Sequence, residues 1–224
     1  MNKYEILSGS WLKVIAMITM TIDHMAVFLP YFYENTTLYF VMRSIGRIAF
    51  IVFAFLLAEG FIHTRNKRKY CRNLLVFALL SQLPYSLIHN HFLFYTHTNV
   101  GFTLLLAFLG MLAMEHYKEE KVKLIAILGV IIIVTALIKP VRGFAGVGLV
   151  WVFYILRSHS IPKLLIGFCM IARNYTLGQM LGFAVLSLYN GERGFIKGAI
   201  GKYAFYAFYP LHLLILWVIR TLCF

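Results

Sequence analysis

Three ionisable residues lie inside one apolar segment near the start of the sequence. The segment runs from Ser10 to Tyr31 and contains Lys13, Asp23 and His24. Each ionisable group in a bilayer costs at least about 2.5 kcal/mol on insertion scales, so such groups usually face a polar interior and serve a function. Histidine is the side chain best suited to exchange a proton near neutral pH. We therefore interpret His24 as a candidate catalytic or ligand-binding residue, beside the alternative that it is a buried core histidine with its hydrogen bonds satisfied.

The spacing of these residues predicts where each side chain points. Lys13 and His24 are eleven residues apart, which returns a helix to almost the same face three turns and roughly 16 Å further along. Lys13 would then lie at one membrane surface and His24 well inside. Asp23 points about 100° away from His24, so we expect it to pair with a basic residue of another helix rather than to orient His24.

Two arginines of the next apolar span are the expected partners of Asp23. Arg43 and Arg47 are one turn apart on one face of that span. If the first helix runs outward and the second inward, both arginines fall in the same outer half of the membrane as Asp23 and His24. A buried Asp–Arg pair is often only a packing clamp between helices, and that reading stays open beside a catalytic one.

A second polar cluster lies in the last apolar span. Tyrosines at the start of a span usually form an interfacial belt, which accounts for Tyr203. His212 lies deeper, roughly 13 Å from residue 203, and Pro210 frees a backbone carbonyl near Tyr206. We predict a polar pocket here, lined by Tyr206 and Tyr209, with His212 as a candidate catalytic residue.

Two polar residues of the middle spans are further candidates for this pocket. Gln82 lies close to Pro84 in the third span, and Asn99 begins the fourth. Hydrogen-bonded packing between helices is the simpler role for both.

The most basic segment covers residues 64–72 and predicts the orientation of the chain. The positive-inside rule places this loop, and with it the N-terminus, in the cytoplasm. The loops at 117–123 and 157–163 agree, and the lysine-free loop 89–98 then falls outside. Beyond orientation, Arg65 and Arg68 are candidate contacts for a phosphate-rich cofactor.

Composition indicates an integral membrane protein. Of 224 residues, 61% are hydrophobic and 13% charged, against about 25% charged in soluble domains. The net charge of +13 falls mostly in short loops between apolar runs, which the positive-inside rule explains, so we reject a nucleic-acid partner. The three cysteines have no paired spacing, so neither a disulfide framework nor a metal site is predicted.

The apolar runs predict an all-α fold, a polytopic membrane helical bundle with about eight transmembrane helices. The runs cover about 10–31, 39–62, 73–90, 99–116, 122–139, 143–157, 161–189 and 203–222. Nine helices stay possible for two reasons. The stretch 161–189 has Arg173, Asn174 and Tyr175 at its middle, which fits a tilted helix, a kink or two short half-helices. With eight helices the basic loop 191–202 would also lie outside the cell, against the positive-inside rule. No repeat or linker divides the chain, so residues 1–224 are predicted to form one domain.

Several motifs occur together along the chain. They are Leu12-Lys13 with Ile22-Asp23-His24, residues 43–50, Phe53 to Leu57 with Glu59-Gly60, His63-Thr64-Arg65, Asn99-Val100 with residues 102–106, and Tyr203 to His212. In combination they resemble the TraX family of conjugal-transfer membrane proteins, over nearly the whole chain.

The resemblance implies an acetyltransferase. The family is named for N-terminal acetylation of pilin, and it is similar to membrane acyltransferases that move an acetyl group from cytoplasmic acetyl-CoA to an acceptor at the outer face. Those relatives carry a basic residue and a histidine eleven apart on their first helix, which Lys13 and His24 match. They tend to have proline after the arginine motif, where this chain has Phe50-Ile51, so neither the local shape of that helix nor the acceptor is carried over.

We therefore expect a multi-pass acetyltransferase of the cell membrane. His24 would take the proton from an acceptor amine or hydroxyl that attacks the thioester directly, with an acyl-histidine intermediate as the less favoured variant. Arg43 or Arg47 would stabilise developing negative charge, and Lys13 would contact the cofactor at its cytoplasmic opening. The expected partners are acetyl-CoA, the lipid bilayer, and either an exported pilin-like protein or peptide or a cell-surface sugar.

Two alternatives belong to other functional classes. A small ion-coupled transporter would use the Asp, His and Arg residues to bind substrate or relay protons, although the sequence has no detectable inverted repeat. A non-catalytic component of a secretion or conjugation apparatus would leave the buried ionisable groups unexplained.

Overall fold

The computed structural model describes residues 6–90, 96–172, 175–196 and 198–224, apart from the side chains of residues 199, 200 and 202. In these ranges the protein is all-helical, with 81% helix and no strands. The helices are α1 (Gly9–Phe28), α2 (Pro30–Tyr33), α3 (Thr36–His63), α4 (Lys67–Ile88), α5 (Val100–His116), α6 (Lys121–Ile138), α7 (Gly143–Ile155), α8 (Ser160–Ile171), α9 (Thr176–Ser187) and α10 (Gly198–Cys223).

Five helices of the described part are long and apolar enough to cross a membrane. They are α1, α3, α4, α6 and the Tyr203–Cys223 part of α10. Their outward faces carry large apolar side chains: Val122 and Leu137 of α6, for example, are 84% and 73% exposed. Contiguous apolar exposure of this kind marks a surface that lipid covers. The chain is thus a multi-pass membrane protein.

The stretch 161–189 is divided into two short helices. Helix α8 ends at Ile171 and α9 begins at Thr176. Tyr175, at the start of α9, has a φ of 64°, in the left-handed region where a helix cannot continue. Of the three shapes expected for this stretch, the two short helices are confirmed. Arg173 and Asn174, which prompted the expectation, lie outside the described residues.

The chain packs as two compact units. Unit 1 consists of Met1–Leu56 and Ile171–Phe224, and unit 2 of Leu57–Met170. The boundary falls within α3, so that unit 1 holds α1, α2, most of α3, α9 and α10. The expectation that residues 1–224 act as one domain stays a prediction.

In unit 1 the start of α1 is tied to the loop that precedes α10. Leu7 forms backbone hydrogen bonds with both Leu188 and Asn190, each at 2.9 Å. The Ser10 hydroxyl donates to the Arg193 carbonyl at 2.9 Å and accepts from the Ile196 N–H at 2.8 Å. The Gly9 N–H, which has no partner within the helix, donates to the Glu192 carbonyl at 2.8 Å. Together these bonds hold loop 188–196 against the start of α1. The two helices then run in the same direction.

Helix α9 packs closely on α3 through two glycines one turn apart. A Cβ atom on Gly178 would fall on the backbone carbonyl of Ser44. A Cβ on Gly182 would lie 3.3 Å from the Cα of Ile48. Small residues spaced four apart let two backbones approach in a membrane, where van der Waals packing drives helix association.

Candidate functional site

Asp23 of α1 lies between two arginines of α3. Its Oδ2 is 2.6 Å from Nη1 of Arg43, and its Oδ1 accepts from Nη2 of Arg47 at 3.2 Å. The three side chains are between 10% and 18% exposed. Gly46 makes the approach possible, because a Cβ there would collide with the Asp23 side chain. The predicted pairing of Asp23 with Arg43 or Arg47 is confirmed, and the structure shows that Asp23 pairs with both.

The two arginines are held further by an aromatic ring and a backbone carbonyl. Arg47 Nε donates to the carbonyl of Arg43 at 3.2 Å. The guanidinium carbons of Arg47 and Arg43 lie 5.1 Å and 5.9 Å from the centre of the Tyr175 ring, a cation–π distance. Arg43 Nε is buried and has no hydrogen-bond partner among the described residues. Two cations share one carboxylate here, so the cluster keeps a positive charge and a buried donor, features that suit an anion.

His24 contacts His212 of α10 directly. Nδ1 of His24 is 2.6 Å from Nε2 of His212, and the two ring planes are only 6° from parallel. In a face-to-face stack every pair of atoms would be separated by about 3.5 Å or more. The rings must therefore lie side by side, edge to edge, with the hydrogen bond close to their common plane. His212 Nδ1 makes a second hydrogen bond, to the Phe208 carbonyl at 2.9 Å.

Aromatic side chains surround the two histidines. The Phe28 and Tyr209 ring centres are 5.8 Å and 6.1 Å from that of His24. Tyr209 is 5.5 Å from His212 and only 6% exposed. Of the predicted pocket tyrosines, Tyr209 thus contacts the histidine pair, while Tyr206 lies half-buried on α10 one turn earlier.

Lys13 lies near the start of α1 in the same unit. Its side chain is half-buried, and its ammonium is 5.4 Å from the centre of the Phe205 ring. Helix α10 thus contacts α1 at two points along its length: Phe205 lies near Lys13, and His212 contacts His24. Along this contact runs an open apolar groove of about 360 Å³, lined by Val14, Met17, Ile18, Thr21, Ile22, Phe205 and Phe208.

Asn99 and Gln82 form a hydrogen-bonded link between α4 and α5 in unit 2. The fully buried Asn99 accepts from the Gly101 N–H at 2.8 Å, which caps the start of α5. Its amide donates to the Ala78 carbonyl at 2.8 Å and to Gln82 Oε1 at 2.9 Å. This network accounts for the burial of the two amides. Their predicted role in a substrate pocket stays a prediction.

The predicted cofactor residues Arg65 and Arg68 are exposed at the start of α4, also in unit 2. Asn66 caps this helix by accepting from the Lys69 N–H at 2.8 Å. Lys67, which lies between the two arginines in sequence, is paired with Glu115 of α5. The basic segment therefore contains both a structural ion pair and outward-facing arginines.

With this geometry in place, comparison with known proteins identifies the family. The family model described as TraX protein matches residues 8–220. The chain belongs to the TraX family. It is also 28% identical, over 245 aligned positions, to the probable fimbrial assembly protein FimC, serogroup H1, of Dichelobacter nodosus. That alignment covers 93% of this chain and 94% of the relative. No solved structure matches.

Three features of this TraX-family site are missed by sequence reasoning. Tyr175 contacts both arginines from a different part of the chain. Gly46 lies between Arg43 and Arg47 in sequence, and a glycine inside an arginine motif of a helix is a usable signal of close helix contact. The contact of His24 with His212 joins two separately predicted residues, and neither spacing nor hydropathy signals it.

Proposed function

We propose that this TraX-family protein is an integral-membrane acetyltransferase that moves an acetyl group from cytoplasmic acetyl-CoA to an acceptor beyond the membrane. The observation that carries the proposal is the His24–His212 contact inside two membrane-spanning helices. Ionisable groups at such depth are costly and usually functional. Acyl transfer to a nucleophile requires a base and a positive charge; on α1 the base His24 directly follows Asp23, which binds the two arginines.

In the proposed reaction His24 acts as general base. It removes a proton from the acceptor's amine or hydroxyl, and the resulting nucleophile attacks the thioester carbonyl. The new C–N or C–O bond forms, the C–S bond breaks, and His24 returns its proton to the leaving sulfur. Arg43 and Arg47 stabilise the negative charge that develops on the carbonyl oxygen. The buried Nε donor of Arg43 supports this role.

Lys13 of unit 1 is a proposed contact for the phosphates of coenzyme A, and Arg65 and Arg68 of unit 2 are separate candidates for such a contact. Lys13 offers a point charge, and the arginines offer planar guanidinium groups that match phosphate. The groove between α1 and α10 is apolar along its length, and its Thr21 hydroxyl already donates to the Met17 carbonyl at 3.0 Å. The pantetheine arm of coenzyme A contains amides, and burying amides in this groove without hydrogen-bond partners would be costly. We therefore do not place the arm in the groove.

The proposal includes a cytoplasmic N-terminus and nine spans rather than eight. Loop 188–196 is hydrogen-bonded to the start of α1 in unit 1. Both therefore lie at the same membrane face, and a cytoplasmic face suits the basic residues Arg193, Lys197 and Lys202 of loop 191–202. Helices α8 and α9 must then leave the cytoplasmic face and return to it.

The proposed acceptor is the N-terminal amine of an exported pilin-like protein or peptide. The name of the Dichelobacter nodosus relative refers to fimbrial assembly, and fimbriae are fibres of exported subunits. A cell-surface sugar is the second acceptor to test.

The test is acetyl transfer by purified protein in lipid nanodiscs. Labelled acetyl-CoA is supplied with pilin-like peptides bearing a free or blocked N-terminus, and coenzyme A release and labelled product are measured. We expect acetyl-CoA to raise the thermal stability of the protein, as any ligand of the folded state must. His24→Gln should lower turnover by at least about 10²-fold, the usual scale for a general base.

His89→Gln is the matched control, because His89 also bonds a carbonyl one turn earlier, that of Tyr85 at 2.8 Å, but lies in unit 2. It should keep normal turnover. Absence of both stabilisation and coenzyme A release with wild-type protein would contradict the proposal and favour a transporter.

A further inference from the structure

We propose that His212 is a positioning residue for His24, which it fixes in the tautomer protonated at Nδ1 and from which it accepts that proton during transfer. This inference rests on the proposed function. Two histidines 188 positions apart in the sequence share one short hydrogen bond, and His212 is also anchored to its own helix.

The hydrogen bonds determine which nitrogen of each ring carries the proton. A carbonyl oxygen can only accept, so His212 Nδ1 must be the donor to the Phe208 carbonyl. A neutral imidazole has one N–H and one acceptor nitrogen, so Nε2 of neutral His212 is an acceptor. Nδ1 of His24, 2.6 Å away, must then donate to it. His24 is left with its lone pair on Nε2, which is the basic nitrogen.

The same pair can hold one additional proton. When His24 Nε2 takes the proton of the acceptor, the Nδ1 proton of His24 can move along the 2.6 Å contact to His212 Nε2. His212 is then an imidazolium, with Nδ1 still donating to the Phe208 carbonyl, and His24 is neutral with its proton on Nε2. Return of the shared proton to His24 Nδ1 lets Nε2 protonate the leaving sulfur. No proton is gained or lost over the cycle.

The edge-to-edge geometry favours this role over simple packing. Two histidine rings packed for burial would be free to stack face to face, whereas these rings are nearly coplanar and joined through nitrogen atoms. The ring of Phe208 is also nearly parallel to that of His212, 15° apart, which restrains it. A carboxylate orients the histidine in many catalytic triads. Here Asp23 is occupied by Arg43 and Arg47, and the orienting group is His212.

Two substitutions separate tautomer selection from proton acceptance. His212→Gln keeps one acceptor and one donor, so its amide can accept from His24 Nδ1 and donate to the Phe208 carbonyl, but it cannot take a proton. His212→Phe removes both functions while keeping an aromatic ring. His89→Gln is again the matched control, since it makes the same exchange at another histidine that bonds a carbonyl one turn earlier.

The experiment combines turnover with ¹⁵N NMR of ring-labelled histidines, and the His24 signals are assigned by their loss in His24→Gln. We expect wild-type His24 to be protonated at Nδ1. In His212→Gln this tautomer should persist, kcat should fall at least about tenfold and KM for acetyl-CoA should change less than about twofold. In His212→Phe the tautomer should be lost and kcat should fall at least about 10²-fold.

Each of the other possible results contradicts one part of the proposal. Turnover of His212→Gln within about twofold of wild type would exclude proton acceptance by His212 while leaving the acetyltransferase intact. A wild-type His24 protonated at Nε2 alone would exclude the tautomer assignment. Wild-type protein without any acetyl transfer would overturn the proposed function and this role together. If His212→Phe does not fold, the His212→Gln comparison still decides.

Discussion

At the scale of single residues, Asp23 is the carboxylate that offsets the positive charges of Arg43 and Arg47. It compensates two arginines inside membrane-spanning helices. Asp23→Asn would leave both guanidinium groups without a counter-charge, and breaking a buried pair in this way typically costs about 3–5 kcal/mol. We expect a loss of that order in the free energy of unfolding, measured by denaturant titration of the purified protein, together with loss of acetyl transfer.

The control for Asp23 is Glu34→Gln. It also removes one carboxylate charge, but from an exposed residue at the end of α2. Surface substitutions of this kind usually stay within about 0.5 kcal/mol. A stability of Asp23→Asn equal to that of Glu34→Gln would show that the arginines do not depend on Asp23.

At the scale of helices, the contact of α9 with α3 is set by glycine. Gly178→Ala would place a methyl group on the Ser44 carbonyl, and the backbone of one helix must move. Overpacking typically costs about 1–3 kcal/mol. Gly182→Ala should be milder, since its closest neighbour is the flexible end of Ile51. Thermal unfolding of the purified variants measures the order of the two effects.

Gly129→Ala in α6 completes this series. Apart from its chain neighbours and the surrounding helix backbone, no atom of the described residues lies within 4 Å of a Cβ built at Gly129. Alanine there gains helix propensity, worth up to about 1 kcal/mol, without a clash. We expect it to be neutral or stabilising. Equal behaviour of Gly178→Ala and Gly129→Ala would mean that α9 does not pack closely on α3.

At the scale of the whole molecule, the proposed membrane topology rests on the charges of the loops and on the hydrogen bonds of loop 188–196. In a variant without Cys71, Cys169 and Cys223, a single cysteine at Glu192 should react with impermeant reagents from the same side as one near Asn66, the cytoplasmic side. One at Tyr95, which lies outside the described residues, should react from the opposite side.

The topology experiment also separates the two span counts. Opposite sides for Glu192 and Asn66 would mean that α8 and α9 together cross the membrane once, as eight spans require. Labelling of Asn66 only from outside would reverse the proposed direction of acetyl transfer, because acetyl-CoA is cytoplasmic.

Much of the protein could be predicted from its sequence because the governing physics is local. Hydropathy and basic loops indicate the membrane class, since about 20 apolar residues suffice to span a bilayer. Helix rise predicts the depth of Asp23 and of Arg43, and an unpaired charge at that depth needs a partner, so their pairing was predictable. Motif order indicates the family, which the match over residues 8–220 confirms.

The order of helices around the site was decided only by tertiary structure. Lipid is as apolar as a leucine-rich helix face, so hydropathy does not distinguish a face that meets lipid from one that meets another helix. For that reason the sequence places Lys13, His24 and His212 on their helices but does not join His24 to His212. It likewise does not bring Tyr175 over the arginines, because that contact depends on the break after α8 and on close packing at Gly178.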